Sequence, residues 1–198
     1  LDIDTGEVVG SEVSAPLVIE WFTDSWVLGS PTNRIDYRVV DRASGDVLWQ
    51  DERNHIRVMV APDGSWLATY VGDETVQLVN TETWETFVIE GFLNVRGGSF
   101  NADASLLAVA EVASLRVIDV ETGLVAQQVR LPGVSDVYWM DDETLIVGTN
   151  DGLFGILSIS TDELIDRTRA NLRRSFSEQE CVEYRIDACP TLEEIRGR

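Results

Sequence analysis

A short apolar run that ends in an acid or its amide, followed at once by a turn, recurs in this chain at a fixed interval of 39 residues. The copies are Leu1-Asp2-Ile3-Asp4-Thr5-Gly6, Val40-Asp41-Arg42-Ala43-Ser44-Gly45, Val79-Asn80-Thr81-Glu82-Thr83-Trp84 and Ile118-Asp119-Val120-Glu121-Thr122-Gly123. A period of this length implies one supersecondary unit stacked on copies of itself, because no single unit can bury its own apolar face. It also lowers the expectation of an enzyme, since repeated units serve stacking and surface display.

Between successive marks lie four short apolar segments separated by turn residues. The clearest unit runs Ile56-Arg57-Val58-Met59-Val60, a turn at Ala61-Pro62-Asp63-Gly64, Ser65 to Val71, a turn at Gly72-Asp73-Glu74, Thr75 to Val79, and Thr86-Phe87-Val88-Ile89. β-Branched and aromatic residues in such runs, punctuated by Pro, Asp and Gly, read as consecutive antiparallel strands. Four strands per 39 residues make one propeller blade. The expected fold is therefore all-β, a propeller segment of about four four-stranded antiparallel blades with a short helical C-terminal tail. The blades fall at about 16–52, 53–91, 92–131 and 132–160, after a partial blade at 1–13, and the tail spans 161–198.

Ala61-Pro62-Asp63-Gly64-Ser65-Trp66-Leu67-Ala68 resembles the Ser-Pro-Asp-Gly turn and second strand of WD-repeat β-propellers, and Asp73-Glu74-Thr75-Val76-Gln77-Leu78-Val79-Asn80 resembles that family's Asp-Gly-Thr-Val-Arg-Leu-Trp-Asp segment. Ser114-Leu115-Arg116-Val117-Ile118-Asp119 is a second copy. Val40, Val79 and Ile118 stand where the family prefers Trp, and no Gly-His pair precedes the blades. The resemblance is thus to degenerate repeats of the kind common in bacterial propellers, which implies that the family's buried Asp-His-Ser/Thr-Trp network is absent and that apolar packing holds each blade.

After Ile159 the pattern changes. Ser160/Glu163, Ser177/Glu180 and Thr191/Glu194 are capping-box pairs, which imply two or three short helices, with Phe176 and Tyr184 as apolar anchors. The segment Arg174 to Cys181 and Tyr184 to Glu194 is similar to the end of large multidomain bacterial regulators, in which activator or kinase-like and nucleotide-binding modules precede a WD-type propeller. That resemblance implies further domains upstream in the same polypeptide and a sensory or scaffolding role. The last blade lacks a fourth strand; residues 7–12 could supply it and close a small ring, but the C-terminal part of a longer propeller is the expected state.

The net charge of −20 argues against direct nucleic-acid contact, which needs clustered cations. All fifteen cations are arginines, and seven of them lie in the last 32 residues, so residues 1–166 form an acidic body that repels anionic partners. No apolar run approaches the length of a membrane span. Two cysteines, Cys181 and Cys189, make neither a disulfide framework nor a metal site; a reduced pair and a single bridge pinning a helix to the next loop both fit the spacing. The expected location is cytoplasmic, with an extracytoplasmic one in its place if Cys181 and Cys189 form a bridge.

No phosphate loop, dinucleotide fingerprint, zinc motif or nucleophile elbow occurs, so no catalytic residues, cofactor or metal are expected. His55, the only histidine, reads as a blade-entry loop residue. Arg57 and Arg96, 39 apart, are expected at equivalent channel-lining places with Asp136 near the next, forming a structural ion pair more readily than an anion site. Loops between second and third strands place Asn33, Asp73, Glu74, Asn150 and Asp151 on one rim, the expected contact surface for a protein or peptide partner. The competing reading is a propeller enzyme or small-ligand sensor of the lactonase-like or quinone-dependent kind, for which only Glu20 and Asp136 are available on inner strands.

Overall fold

Each repeated acid or amide within residues 17–31, 37–53, 57–70, 74–171 and 173–196, which the computed structural model describes, closes the turn between two strands. Asp41 Oδ1 accepts from the backbone N–H of Ala43 at 2.9 Å and of Ser44 at 2.7 Å. Asn80 Oδ1 does the same for Glu82 and Thr83, and Asp119 Oδ1 takes the Thr122 N–H and hydroxyl. A carboxylate or amide oxygen two or three residues back mimics a backbone acceptor, which is why the mark is always Asp or Asn. In each turn the residue four further on donates to the marked residue's carbonyl with positive φ: Gly45 at 78°, Trp84 at 60° and Gly123 at 68°. The first copy, Leu1 to Gly6, lies outside the described residues.

These turns join strands into four sheets. The first blade is β1 (Leu17–Phe22), β2 (Trp26–Pro31), β3 (Tyr37–Asp41) and β4 (Val47–Asp51). The second is β5 (Arg57–Val60), β6 (Trp66–Tyr70), β7 (Thr75–Asn80) and β8 (Thr86–Glu90). β9 (Gly97–Phe100), β10 (Leu106–Ala110), β11 (Ser114–Asp119) and β12 (Val125–Arg130) form the third. The fourth has three strands among the described residues: β13 (Val134–Asp141), β14 (Thr144–Thr149) and β15 (Phe154–Ser158). Neighbours in sequence are neighbours in each antiparallel sheet, and none closes into a barrel.

Alternation along the middle strands stacks the blades. Leu67 and Val79 of the second blade pack with Trp26, Leu28, Tyr37 and Val39 of the first. Ala68, Tyr70, Val76 and Leu78 point to the opposite face and pack with Leu107, Val109 and Ile118 of the third. The second blade is thus apolar on both faces; each fully buried Leu or Val contributes roughly 1.5–3 kcal/mol. On the far side of the third blade, the Trp139 indole N–H donates to the Ser99 carbonyl at 2.9 Å and the Ser99 hydroxyl to the Val137 carbonyl at 3.1 Å, tying β13 to β9.

β9 can run between its neighbours because it opens with two glycines. A Cβ on Gly97 would lie 2.3 Å from Asp136 Oδ1, and one on Gly98 would lie 2.5 Å from Met59 Sδ and 2.6 Å from the Ala108 carbonyl. The period also slips here. Arg57 pairs with Tyr70 and Gly97 with Ala110, so the counterpart of Arg57 is Gly97 rather than Arg96. The extra residue is given back in the loop after β10, where Thr75 and Ser114 resume the 39-residue spacing.

Residues 157–198 cluster as a separate unit with three helices: α1 (Thr161–Asn171), α2 (Glu178–Glu183) and α3 (Leu192–Arg196). Both Ser177/Glu180 and Thr191/Glu194 are reciprocal, hydroxyl to N3 amide and carboxylate to N-cap amide. Cys181 and Cys189 are joined in a disulfide, with Cα atoms 5.7 Å apart. Phe176 and Tyr184 are exposed rather than anchoring, while Cys181 is buried. A unit this small has little apolar surface to bury, and a covalent bridge adds a constraint that a larger core would otherwise supply.

Candidate functional site

The antiparallel order sends the β2–β3, β6–β7, β10–β11 and β14–β15 connections to one rim, together with the crossovers between blades. Backbone hydrogen bonds bind these two sets of loops. Phe92 N–H donates to the Glu74 carbonyl at 2.8 Å, Gly133 N–H to Val112 at 3.1 Å, and Asn150 N–H to Gly133 at 2.9 Å. Glu74, at φ 68°, and Asn150 and Asp151 present exposed side chains there. The Thr149 hydroxyl donates to Asp151, which holds that carboxyl below the ordinary range. Asn33, Asp73 and His55 fall outside the described residues.

The inner strands form a second surface. Trp21 of β1, Leu28 of β2, Val58, Met59 and Val60 of β5, and Gly98 and Ser99 of β9 line a cavity of about 250 Å³. No titratable side chain lines it. Glu20 occupies a bulge of β1, between the Ile19/Gly29 and Trp21/Leu28 pairs. Arg57 donates its Nε–H to the Arg96 carbonyl at 2.8 Å, and Asp136 accepts from the Tyr138 hydroxyl at 3.1 Å. That hydrogen bond, with the carboxylate's charge, raises the Tyr138 pKa. No ion pair among the described residues joins Asp136 to either arginine; the one-residue slip puts Gly97, not an arginine, against Asp136. Nor do three His, Cys, Asp or Glu side chains among the described residues converge as metal ligands would.

A buried polar knot between the second and third blades was not evident from sequence. Glu111, 1% exposed, follows directly on the apolar β10. Its Oε1 accepts from the Leu93 N–H at 2.6 Å and its Oε2 from the Ser114 hydroxyl at 2.8 Å. Arg116 Nε lies 2.8 Å from Oε2 without hydrogen-bond alignment, so that contact is coulombic. The same guanidinium stacks over Phe92 at 4.7 Å and donates to the Gly91 carbonyl at 2.6 Å. The knot fixes the crossover on which Glu74 rests. Its signal in the sequence is an acid ending an apolar strand and an arginine in the next one.

No protein-family model and no curated protein matches this chain. Solved structures do. The crystal structure of the computationally designed Ika4 protein is similar over 78% of this chain and 99% of its own, with a TM-score of 0.61 and 15% identity. The structure of U3-55K matches 69% of this chain and 46% of its own (TM-score 0.58, 15% identity), and KlHsv2 with loop 6CD replaced by a Gly-Ser linker matches 70% and 56% (TM-score 0.54, 14% identity). The fold is β-propeller-like. This chain spans about half the length of U3-55K and of the KlHsv2 variant, and identities this low speak to fold alone.

Proposed function

We propose that this chain is a non-catalytic propeller scaffold that holds protein or peptide partners on its loop rim. The observation that carries the reading is the fixing of Glu74, Asn150 and their crossovers by backbone hydrogen bonds to stacked sheets, a rigid display of exposed polar side chains. The inner cavity adds support: at about 250 Å³ it is smaller than the usual small-molecule site, and no titratable side chain lines it.

The WD-type turn at Ala61 to Ala68 and the tail's sequence support placing the scaffold in the sensory part of a larger bacterial regulatory protein. The Cys181–Cys189 bridge supports an oxidising, extracytoplasmic compartment for it, because reducing cytosol keeps thiols free; no helix among the described residues is long and apolar enough to cross a membrane. Photo-crosslinking residues placed at Glu74 and Asn150 should capture one reproducible protein, and the same residue at Ser44 or Thr122, in the β3–β4 and β11–β12 turns, should not. Equal capture from both rims, or turnover abolished by changing Glu20 or Asp136, would refute the reading.

A further inference from the structure

The fourth blade is finished on one face only. Val137, Leu145 and Val147 are buried, on the side where β13 is tied to β9. On the other face Tyr138 pairs with Ile146, the Phe154 ring lies 3.6 Å from where a Cβ on Gly148 would sit, and Ile156 follows two residues on. Phe154 is 82% and Ile156 67% exposed. The outer edge of β15 has no strand beside it among the described residues, whereas the other three sheets carry a fourth strand at that place. An unpaired edge next to an apolar face is what an added strand needs, with main-chain hydrogen bonds for affinity and side-chain packing for selection.

Charge selects the occupant. Residues 134–158 contain Asp136, Asp141, Asp142, Glu143 and Asp151 and no arginine, lysine or histidine. A second copy of this chain, at −20, is repelled, and so is the chain's own 1–16 segment, which carries Asp2, Asp4, Glu7 and Glu12 without a cation; residues 157–198 set seven arginines against nine acids and so offer no net cationic segment either. We propose that β15 and the bare face of the fourth blade take up an extended cationic segment of a partner protein, in which apolar residues alternate with Arg or Lys, as a fourth strand. A five-residue strand offers about 17 Å of edge, enough for a short linear segment. The inference rests on the scaffold reading and gives that scaffold's partner a chemistry.

The test uses the full chain and a fluorescein-labelled ten-residue peptide alternating valine with arginine, followed by anisotropy. The arginine peptide is expected to bind at least about tenfold more tightly than its glutamate analogue and than a peptide of residues 3–14, and to weaken as salt rises. Ile156→Arg, at an exposed position that leaves folding intact, should reduce binding about tenfold. Asp141→Asn/Asp142→Asn/Glu143→Gln, which keeps the Asp141 turn acceptor, should flatten the salt dependence. Equal binding of the glutamate analogue, tighter binding of the 3–14 peptide, or indifference to Ile156→Arg overturns the proposal. If the peptide fails while Glu74 and Asn150 still crosslink a partner, only this inference falls; if neither rim nor edge captures anything, the scaffold reading falls with it.

Discussion

Trp84 offers the sharpest test of the repeat, because it occupies a left-handed position that its counterparts give to glycine. Its φ is 60°, against 78° at Gly45 and 68° at Gly123. For a side chain with a Cβ that conformation costs roughly 1–2 kcal/mol. The ring offsets the cost: Trp84 meets Trp26 edge to face, with centroids 6.5 Å apart at 80°, and is half-buried against the cluster between the first two blades. An aromatic pair of this kind is worth about 0.5–1.5 kcal/mol beyond burial, and half the cost of a full Trp→Ala truncation is about 2 kcal/mol.

Trp84→Ala loses the ring and keeps the strain, so it should destabilise by about 2 kcal/mol. Trp84→Gly loses the same ring but relieves the strain, less about 0.5–1 kcal/mol for glycine's backbone entropy. Glycine should therefore be more stable than alanine by about 0.8 kcal/mol at mid-range and by up to about 1.5 kcal/mol, which is a few degrees in melting temperature or less for a chain of this size. Urea unfolding followed by far-ultraviolet circular dichroism measures the difference without relying on tryptophan emission. Alanine equal to or better than glycine would refute the assignment of Trp84 to the repeated turn conformation.

Three further outcomes follow from the same geometry. Glu111→Ala leaves the Leu93 N–H and the Ser114 hydroxyl without their acceptor and the Arg116 guanidinium without its counter-charge, and should cost about 3–5 kcal/mol, read by denaturation, whereas Glu111→Leu with Arg116→Met should recover only the part owed to the unpaired charge. Gly98→Ala drives a methyl into Met59 and the Ala108 carbonyl and should destabilise by about 1–3 kcal/mol; Gly133→Ala, with open space at the Cβ, should cost less despite its positive φ of 80°. In the tail, hydrogen bonds from Arg174 and from the Ser177 backbone and hydroxyl lower the Glu180 pKa to about 2. A depressed carboxyl stabilises the folded form above its unfolded pKa and loses that contribution as pH falls from about 4.5 towards 2, so α2 should fray across that window, and Glu180→Gln should remove the pH dependence from the Ser177 amide shift.

The blade plan was legible because it rests on local chemistry. Asp41, Asn80 and Asp119 are read directly from the chain, since an Asx turn needs only its own neighbours. Strand order followed, because consecutive hairpins leave little topological choice. The capping boxes at Ser177 and Thr191 were equally visible. What depends on blade-to-blade packing was not. The 39-residue count put Arg57 and Arg96 at equivalent places, but the ladder pairs Arg57 with Tyr70 and Gly97 with Ala110, a slip of one that the turns at Ala61–Gly64 and Asn101–Ala104, 40 apart, share and the 39-residue marks hide. Glu111 and Arg116 come together across a hairpin and against a crossover, so their partnership is a tertiary fact. The spacing of Cys181 and Cys189 allowed a bridge; only the fold of the loop brings their Cα atoms to 5.7 Å. Among the rim residues, Glu74, Asn150 and Asp151 were found through their turns, but the hydrogen bonds that fix Glu74 and Asn150 to the crossovers were not.

Amide hydrogen exchange of the full chain, with and without the valine–arginine peptide, tests most directly whether this chain takes up a partner segment on its surface, at the edge of the fourth blade, or in its channel. The expected result is slowed exchange confined to Phe154 to Ser158 of β15, with the inner strands β5, β9 and β13 unchanged. Slowing in those inner strands around the central cavity, with β15 untouched, would contradict it.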